Sequence, residues 1–303
     1  MRTLNKPSLM LFIGILAVST ASIFIRNAQQ SIPSTVIAAG RLGLATIILM
    51  PFGLKDAAGQ YSRLEGKDRF QIILAGLFLG FHFLVWIKSL ELTSIASSVI
   101  LVTTTPVWVA LFSPLVLKER ITSKIIIGLA IAMVGIVILI IGPSNGNMQM
   151  SMTKENLLGN FLALCGAWLA AAYTMVGRGV RNELPLKSYV LLVYGVAGVT
   201  ALIFAIPDLP QIGADYQSGF LWIFLLALIP QVIGHTLFNN AVRQMQAVYA
   251  SIALLGEPLG SIILAWLFLH ENPGPYDLVG GLFVLSGILL AFRKGKQEIQ
   301  SLE

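Results

Sequence analysis

The stretch "TTTPVWVALFSPLVLKE" (residues 103–119) lies on "LGEPLGSIILAWLFLHE" (residues 255–271) at a shift of 152, which pairs Pro106 with Pro258 and Glu119 with Glu271. The same shift pairs Gly14 with Gly166, Arg26 with Arg178, Pro33 with Pro185 and Gly43 with Gly195. Further along it pairs Gly128 with Gly280 and Gly135 with Gly287. One register held without a gap across most of the chain means two copies of one unit, placed here at residues 1–143 and 153–296.

Composition says what the unit is made of. The 303 residues are 56% hydrophobic and only 11% charged, and the mean hydropathy is +0.82. A soluble chain carries roughly a quarter charged residues. Apolar runs of about 20 helical residues, rising ~1.5 Å each, cross a ~30 Å hydrocarbon core. Ten such runs are expected, at about 8–28, 33–52, 70–91, 95–117, 123–142, 157–178, 187–206, 219–241, 246–269 and 276–292. The first is taken as a retained span rather than a cleaved signal peptide, although Arg2 and Lys6 precede it in the manner of one. Five spans per unit is an odd number, so the second copy enters the bilayer from the other side. The expected fold is an all-α polytopic membrane protein with ten transmembrane helices in two inverted five-helix repeats.

Charge sets the direction. With the N-terminus inside, 16 of the 20 Lys and Arg residues fall in inner segments, and the outer loop "PDLPQIGADYQSG" (207–219) has none. Cationic residues gather on the cytoplasmic side of membrane proteins, so both termini are expected there. The net charge of +6 is spread between spans rather than clustered, which argues against a nucleic-acid partner. A single cysteine, Cys165, lies within an apolar run and permits no disulfide framework.

The five-plus-five pattern, "LVTTTPVWVALFSPLVLKERIT" (101–122), "GLAIAMVGIVIL" (128–139) and "LLGEPLGSIILAWLFLHE" (254–271) resemble the EamA family of the drug/metabolite transporter superfamily. The likeness runs over nearly the whole chain, and the Pro-to-Glu run closing the fourth and ninth helices is its most specific part. The resemblance implies a ten-helix carrier of the bacterial inner membrane, commonly exporting amino acids or related metabolites. It does not name a substrate.

Polar residues deep in the spans are the candidate site. A charge at a helix centre costs ~2.5–3.5 kcal/mol on insertion scales, so each needs a compensating role. Glu257 sits about ten residues, or ~15 Å, from the inner end of the ninth span, beside Pro258, which removes a backbone hydrogen bond and breaks the helix. Such breaks line cavities in carriers. A neutral Glu bonded to neighbouring backbone is the plainer alternative. Arg41 is also deep, cannot shed its proton and needs an anion, either Glu257 or a substrate carboxylate. A purely structural Arg41–Glu257 pair is the competing account.

Gln231, His235 and Asn239 are spaced one helical turn apart and are expected to share a face. His82 is a lone intramembrane histidine, more often a packing residue than a ligand. Trp86, Trp108, Trp168, Tyr173 and Tyr194 could cage a substrate, although aromatics in spans more often pack or face lipid. Thr103, Thr104 and Thr105 offer hydroxyls or bond back to their own helix. Arg26 and Lys88 are placed near outer helix ends, where Arg26, whose repeat mate is Arg178, is given a topological or gate role. Glu119 and Glu271 end helices at opposite faces, fixing the helix end or a gate contact. No metalloprotease, nucleophile-elbow or phosphate-loop motif occurs, and no metal-ligand spacing, so neither an enzyme nor a cofactor is expected.

These readings converge on a secondary carrier working by alternating access. Arg41, Glu257, His235, Gln231, Asn239, His82, Trp86, Thr104, Trp168 and Tyr194 are the candidate contacts for substrate or a coupling proton. The expected partners are a small-molecule substrate, the lipid bilayer and, as options left open, a coupling proton and a second copy of the chain, with the fifth and tenth helices either peripheral or at that dimer contact. A non-transporting scaffold or sensor, or a carrier of nucleosides, organic cations or drugs, is the alternative.

Overall fold

The computed structural model describes residues 6–141, 153–181, 184–212, 216–269 and 273–293. The described residues are mostly helical, with no strand among them. The first half holds α1 (Lys6–Val18), α2 (Ala21–Ala28), α3 (Ser34–Tyr61), α4 (Gly66–Leu92), α5 (Ile95–Val102), α6 (Thr105–Val116) and α7 (Ser123–Ile141). In the second half come α8 (Lys154–Arg181), α9 (Leu186–Ala205), α10 (Tyr216–Leu226), α11 (Thr236–Gln244), α12 (Ala247–Ala253), α13 (Glu257–Leu269) and α14 (Pro275–Ala291). A 3-10 turn (Ile206–Gln211) follows α9, a π-helix (Ala227–His235) joins α10 to α11, and a 3-10 turn (Leu254–Gly256) joins α12 to α13.

Eight stretches are long and apolar enough to cross a bilayer, and Ser123–Leu139 and Pro275–Ala291 are shorter apolar helices, giving the ten expected segments. The repeat register carries into local structure. Helix α5 begins at Ile95 and α12 at Ala247; α6 begins at Thr105 and α13 at Glu257; α7 begins at Ser123 and α14 at Pro275. Each of these pairs differs by 152. Both fourth-segment helices therefore break at the same place, before a proline. Pro106 and Pro258 each sit in the first turn of the new helix, where their missing N–H would have had no partner in any case.

Packing follows the same exchange. The second segments α3 and α9 pack together, as do α7 and α14, while α4 lies on α8 and, reciprocally, α1 and α2 lie on the π-helix, α10 and α11. Each contact thus has a counterpart related by swapping the halves, as an inverted repeat requires. The α3–α9 pair is tied at both ends by repeat mates. Thr35 donates to Asp208 Oδ2 at 2.6 Å, and the mates of these two, Lys187 and Asp56, form an ion pair.

Lipid tails are as apolar as leucine, so helices associate in a bilayer by close packing rather than by expulsion from water. Helices α7 and α14 do this through glycine. A Cβ at Gly128 would stand 2.5 Å from the Gly287 carbonyl oxygen, and one at Gly135 would stand 2.7 Å from that of Gly280. The conspicuous glycines of the fifth and tenth segments are consumed within the chain. Their outer faces, with Ile126, Val134, Leu282 and Leu289, remain exposed.

Three local features depart from expectation. Helix α3 runs on to Tyr61 instead of ending near 52, because "LKDAAGQY" (54–61) is good helix-forming sequence that continues past the apolar run. The first span is broken between α1 and α2, where Ser19 Oγ lies 2.7 Å from Ile15 O and Thr20 Oγ1 donates to Ala17 O at 2.8 Å. The third departure is the π-helix, treated with the site it shapes.

Candidate functional site

The broken segments meet near the middle of their spans. Ser19 Oγ is also 2.8 Å from the Glu257 carbonyl oxygen, and Ser261 Oγ donates to Ser19 O at 2.8 Å, so the α1/α2 break crosses the start of α13. Beside this crossing lies a cavity of about 440 Å³, within the usual range for small-molecule sites. Its lining includes Arg41, His82, Phe83, Trp86, Tyr173, His235, Phe238 and Glu257, and it reaches Leu139 and Asp277 at the ends of α7 and α14.

Arg41 is wholly buried, yet it is only partly satisfied. Its Nε donates to Gln231 Oε1 at 2.7 Å, while Nη1 and Nη2 have no hydrogen-bond partner. The guanidinium carbon stands 3.8 Å above the Phe83 ring centre, a cation–π contact that offsets part of the burial. The Glu257 carboxylate, on the same cavity, makes no hydrogen bond or ion pair among the described residues. The two groups share a chamber and act on each other electrostatically without a direct contact.

His82 is fixed. Its Nδ1 lies 2.8 Å from the Gly166 carbonyl oxygen, which can only accept, so Nδ1 carries the proton. Its ring stacks on Trp86, with centroids 5.9 Å apart at 12°. Trp86 Nε1 and His235 Nδ1 are buried without partners. His235 meets Phe83 edge-on at 5.3 Å, and these two residues are repeat mates across the pseudo-axis.

The other candidates divide between the chamber and its wall. Pro230 cannot donate and sits inside the π-helix Ala227–His235, along which Gln231 and His235 remain about one turn apart. His235 lines the cavity, whereas Gln231 sits behind the wall on Arg41. Asn239 is likewise behind it, accepting from Tyr173 Oη at 2.5 Å. Tyr194 Oη lies 3.4 Å from both the Gln231 main-chain carbonyl and Thr236 Oγ1, and it accepts from Asn239 Nδ2 at 3.4 Å. Gln231 and Asn239 hold cavity residues and Tyr194 braces Asn239, and none of the three lines the cavity itself. Thr104 bonds back to Leu101 O and accepts from Trp108 Nε1, although its neighbours Thr103 and Thr105 do line the chamber. Trp168 stands apart, 40% exposed and edge-on to Trp108.

Beyond Ser251, another lining residue, the opposite end of the cavity is clasped. Glu119 Oε1 accepts from Arg178 Nε and from the Ala247 backbone N–H, both at 2.9 Å. Arg178 also donates to the carbonyls of Val242 and Met245. The clasp therefore joins the end of the fourth segment to the sixth, eighth and ninth. Arg26, the repeat mate of Arg178, is exposed on the other face, and Glu271 lies outside the described residues.

Fold and site together define a multi-pass helical membrane protein, duplicated and inverted around a charged central chamber. The EamA-like transporter family model matches residues 5–141 and again 157–293, and the chain belongs to that family. A transporter of Archaeoglobus fulgidus is 24% identical, covering 97% of this chain and 99% of its own. One from Clostridium kluyveri is 23% identical over 84% of this chain and 82% of its own. The Bacillus subtilis transporter YxxF is 24% identical over 80% and 77%. All three are named uncharacterized transporters. A solved crystal structure shares the fold with a TM-score of 0.78 over 98% of each chain at 17% identity.

Proposed function

We propose that the protein is a secondary carrier exporting a small zwitterionic metabolite, an amino acid or close relative, by alternating access. The observation that carries this reading is a pair of ionisable groups on one chamber without a direct contact. Arg41 Nη1 and Nη2 make no hydrogen bond, and the Glu257 carboxylate makes neither a hydrogen bond nor an ion-pair contact among the described residues. A guanidinium fork suits a carboxylate, and Glu257 suits an amine or a coupling proton. Arg41 is fully enclosed with Phe83 against its face, so binding requires that ring to give way. The face bearing the Glu119–Arg178 clasp is the cytoplasmic one, by the distribution of cations.

A thermal-shift screen of the purified protein against amino acids, nucleosides and organic cations tests the substrate class, because native-state ligands raise apparent stability. α-Amino acids are expected to shift the midpoint, and the ones that do should drive counterflow in proteoliposomes. Shifts confined to nucleosides or cations would overturn the class.

The clasp is the cytoplasmic gate. In a Cys165→Ser background with Ser251→Cys as reporter, Arg178→Ala is expected to speed labelling by an impermeant thiol reagent from that face. The acceleration should be roughly tenfold or more, since each ~1.4 kcal/mol of lost closure is a factor of ten. An unchanged labelling rate would show that something else keeps this end shut.

A further inference from the structure

A second cleft, of about 700 Å³, lies on the face away from the clasp, between the α2–α3 turn, the end of α4, α8 and the 3-10 turn after α9. Its charged residues are Lys88, Glu91 and Asp208, and its apolar walls include Phe81, Leu84 and Phe204. Much of its polar surface is internally bonded. Glu91 receives Lys88 Nζ and Ser34 Oγ, each at 2.8 Å, and Asp208 receives Thr35 and Gln211. Two buried atoms are left over, Gln29 Oε1 and Ser31 Oγ, the latter packed against Gly219 of α10. An amide oxygen can only accept, so what is missing there is a donor.

The place and chemistry narrow the donor. Lys88 and Glu91 are two-fifths exposed at the end of a candidate span, where headgroups lie, and Phe204 is half exposed below them. Two carboxylates against one ammonium disfavour an anionic headgroup. A primary ammonium offers N–H donors to Gln29 Oε1 and Asp208, and, among the described residues, Lys88 is the one cation of the cleft for its phosphate. A choline headgroup has no N–H to offer.

We propose that this cleft holds the headgroup of a phosphatidylethanolamine-type lipid, its ammonium between Gln29 and Asp208 and its acyl chains along Phe81 and Phe204. The proposal is independent of what the central chamber carries. Native mass spectrometry of the purified full chain tests it, using phosphatidylethanolamine, its mono- and dimethylated forms, phosphatidylcholine, phosphatidylglycerol and water-soluble phosphoethanolamine. One phosphatidylethanolamine per chain should be retained, with affinity falling stepwise on N-methylation to about tenfold weaker for phosphatidylcholine, the worth of one charge-assisted hydrogen bond. Asp208→Asn should erase that preference, whereas Lys88→Gln should weaken the phospholipids alike. Equal retention across the series, no response to either substitution, or phosphoethanolamine binding as well as the lipid would each overturn it. If Asp208→Asn does not fold, the methylation series on the unaltered chain decides alone.

Discussion

Arg41→Ala is expected to abolish substrate binding and flux, and Arg41→Lys to restore folding without restoring transport. The alanine change removes the only cation bordering the chamber among the described residues and strands Gln231 Oε1 in a buried position. Removing one partner of a buried, hydrogen-bonded charge contact costs about 2–5 kcal/mol, which is roughly 30-fold or more in affinity. Lysine keeps the charge and can still reach Gln231, but it presents a point rather than a fork. If the guanidinium only braces the bundle, Arg41→Lys should transport nearly as well as the unaltered protein. Binding by thermal shift and counterflow, measured side by side, separate the two accounts.

Glu257→Gln carries the second large effect, and it distinguishes two roles for the carboxylate. The substitution keeps size and shape and removes both charge and titration. If Glu257 carries a proton, counterflow should persist while accumulation driven by a pH gradient disappears, and flux should become flat between pH 5 and 8. If Glu257 meets the substrate amine, counterflow should collapse together with binding. A variant that accumulates substrate normally would remove Glu257 from both roles and leave it as a helix-break residue held through its backbone contact with Ser19.

Much of the fold was legible because the chain states it twice. The shift of 152 locates the breaks before Pro106 and Pro258 and the equivalent starts of α7 and α14, and the odd number of segments per copy implies the inversion. The same shift contained information about the site that periodicity did not. Phe83 is the mate of His235 and Phe238 the mate of Trp86, and all four line the chamber. Neither phenylalanine stands out alone, since an apolar residue in an apolar helix carries no facial signal. Spacing along a helix does not say which polar side chain meets which. Gln231 bonds Arg41 behind the chamber wall, and the Ser19–Thr20 break depends on hydroxyls bonding back to their own helix. Trp168 and Thr104 were chosen by residue type, and only tertiary packing separates them from Trp86 and Thr105.

The account rests on one chamber being reached from each membrane face in turn, and side-resolved labelling of Thr105→Cys addresses that most directly. Thr105 lines the chamber and is the repeat mate of Glu257. In a Cys165→Ser background, an impermeant thiol reagent should reach position 105 from the face bearing Asp277 in the resting protein, and from the clasp face once Arg178→Ala opens it. Labelling that comes from one face only, whatever the state of the clasp or the substrate present, would contradict alternating access.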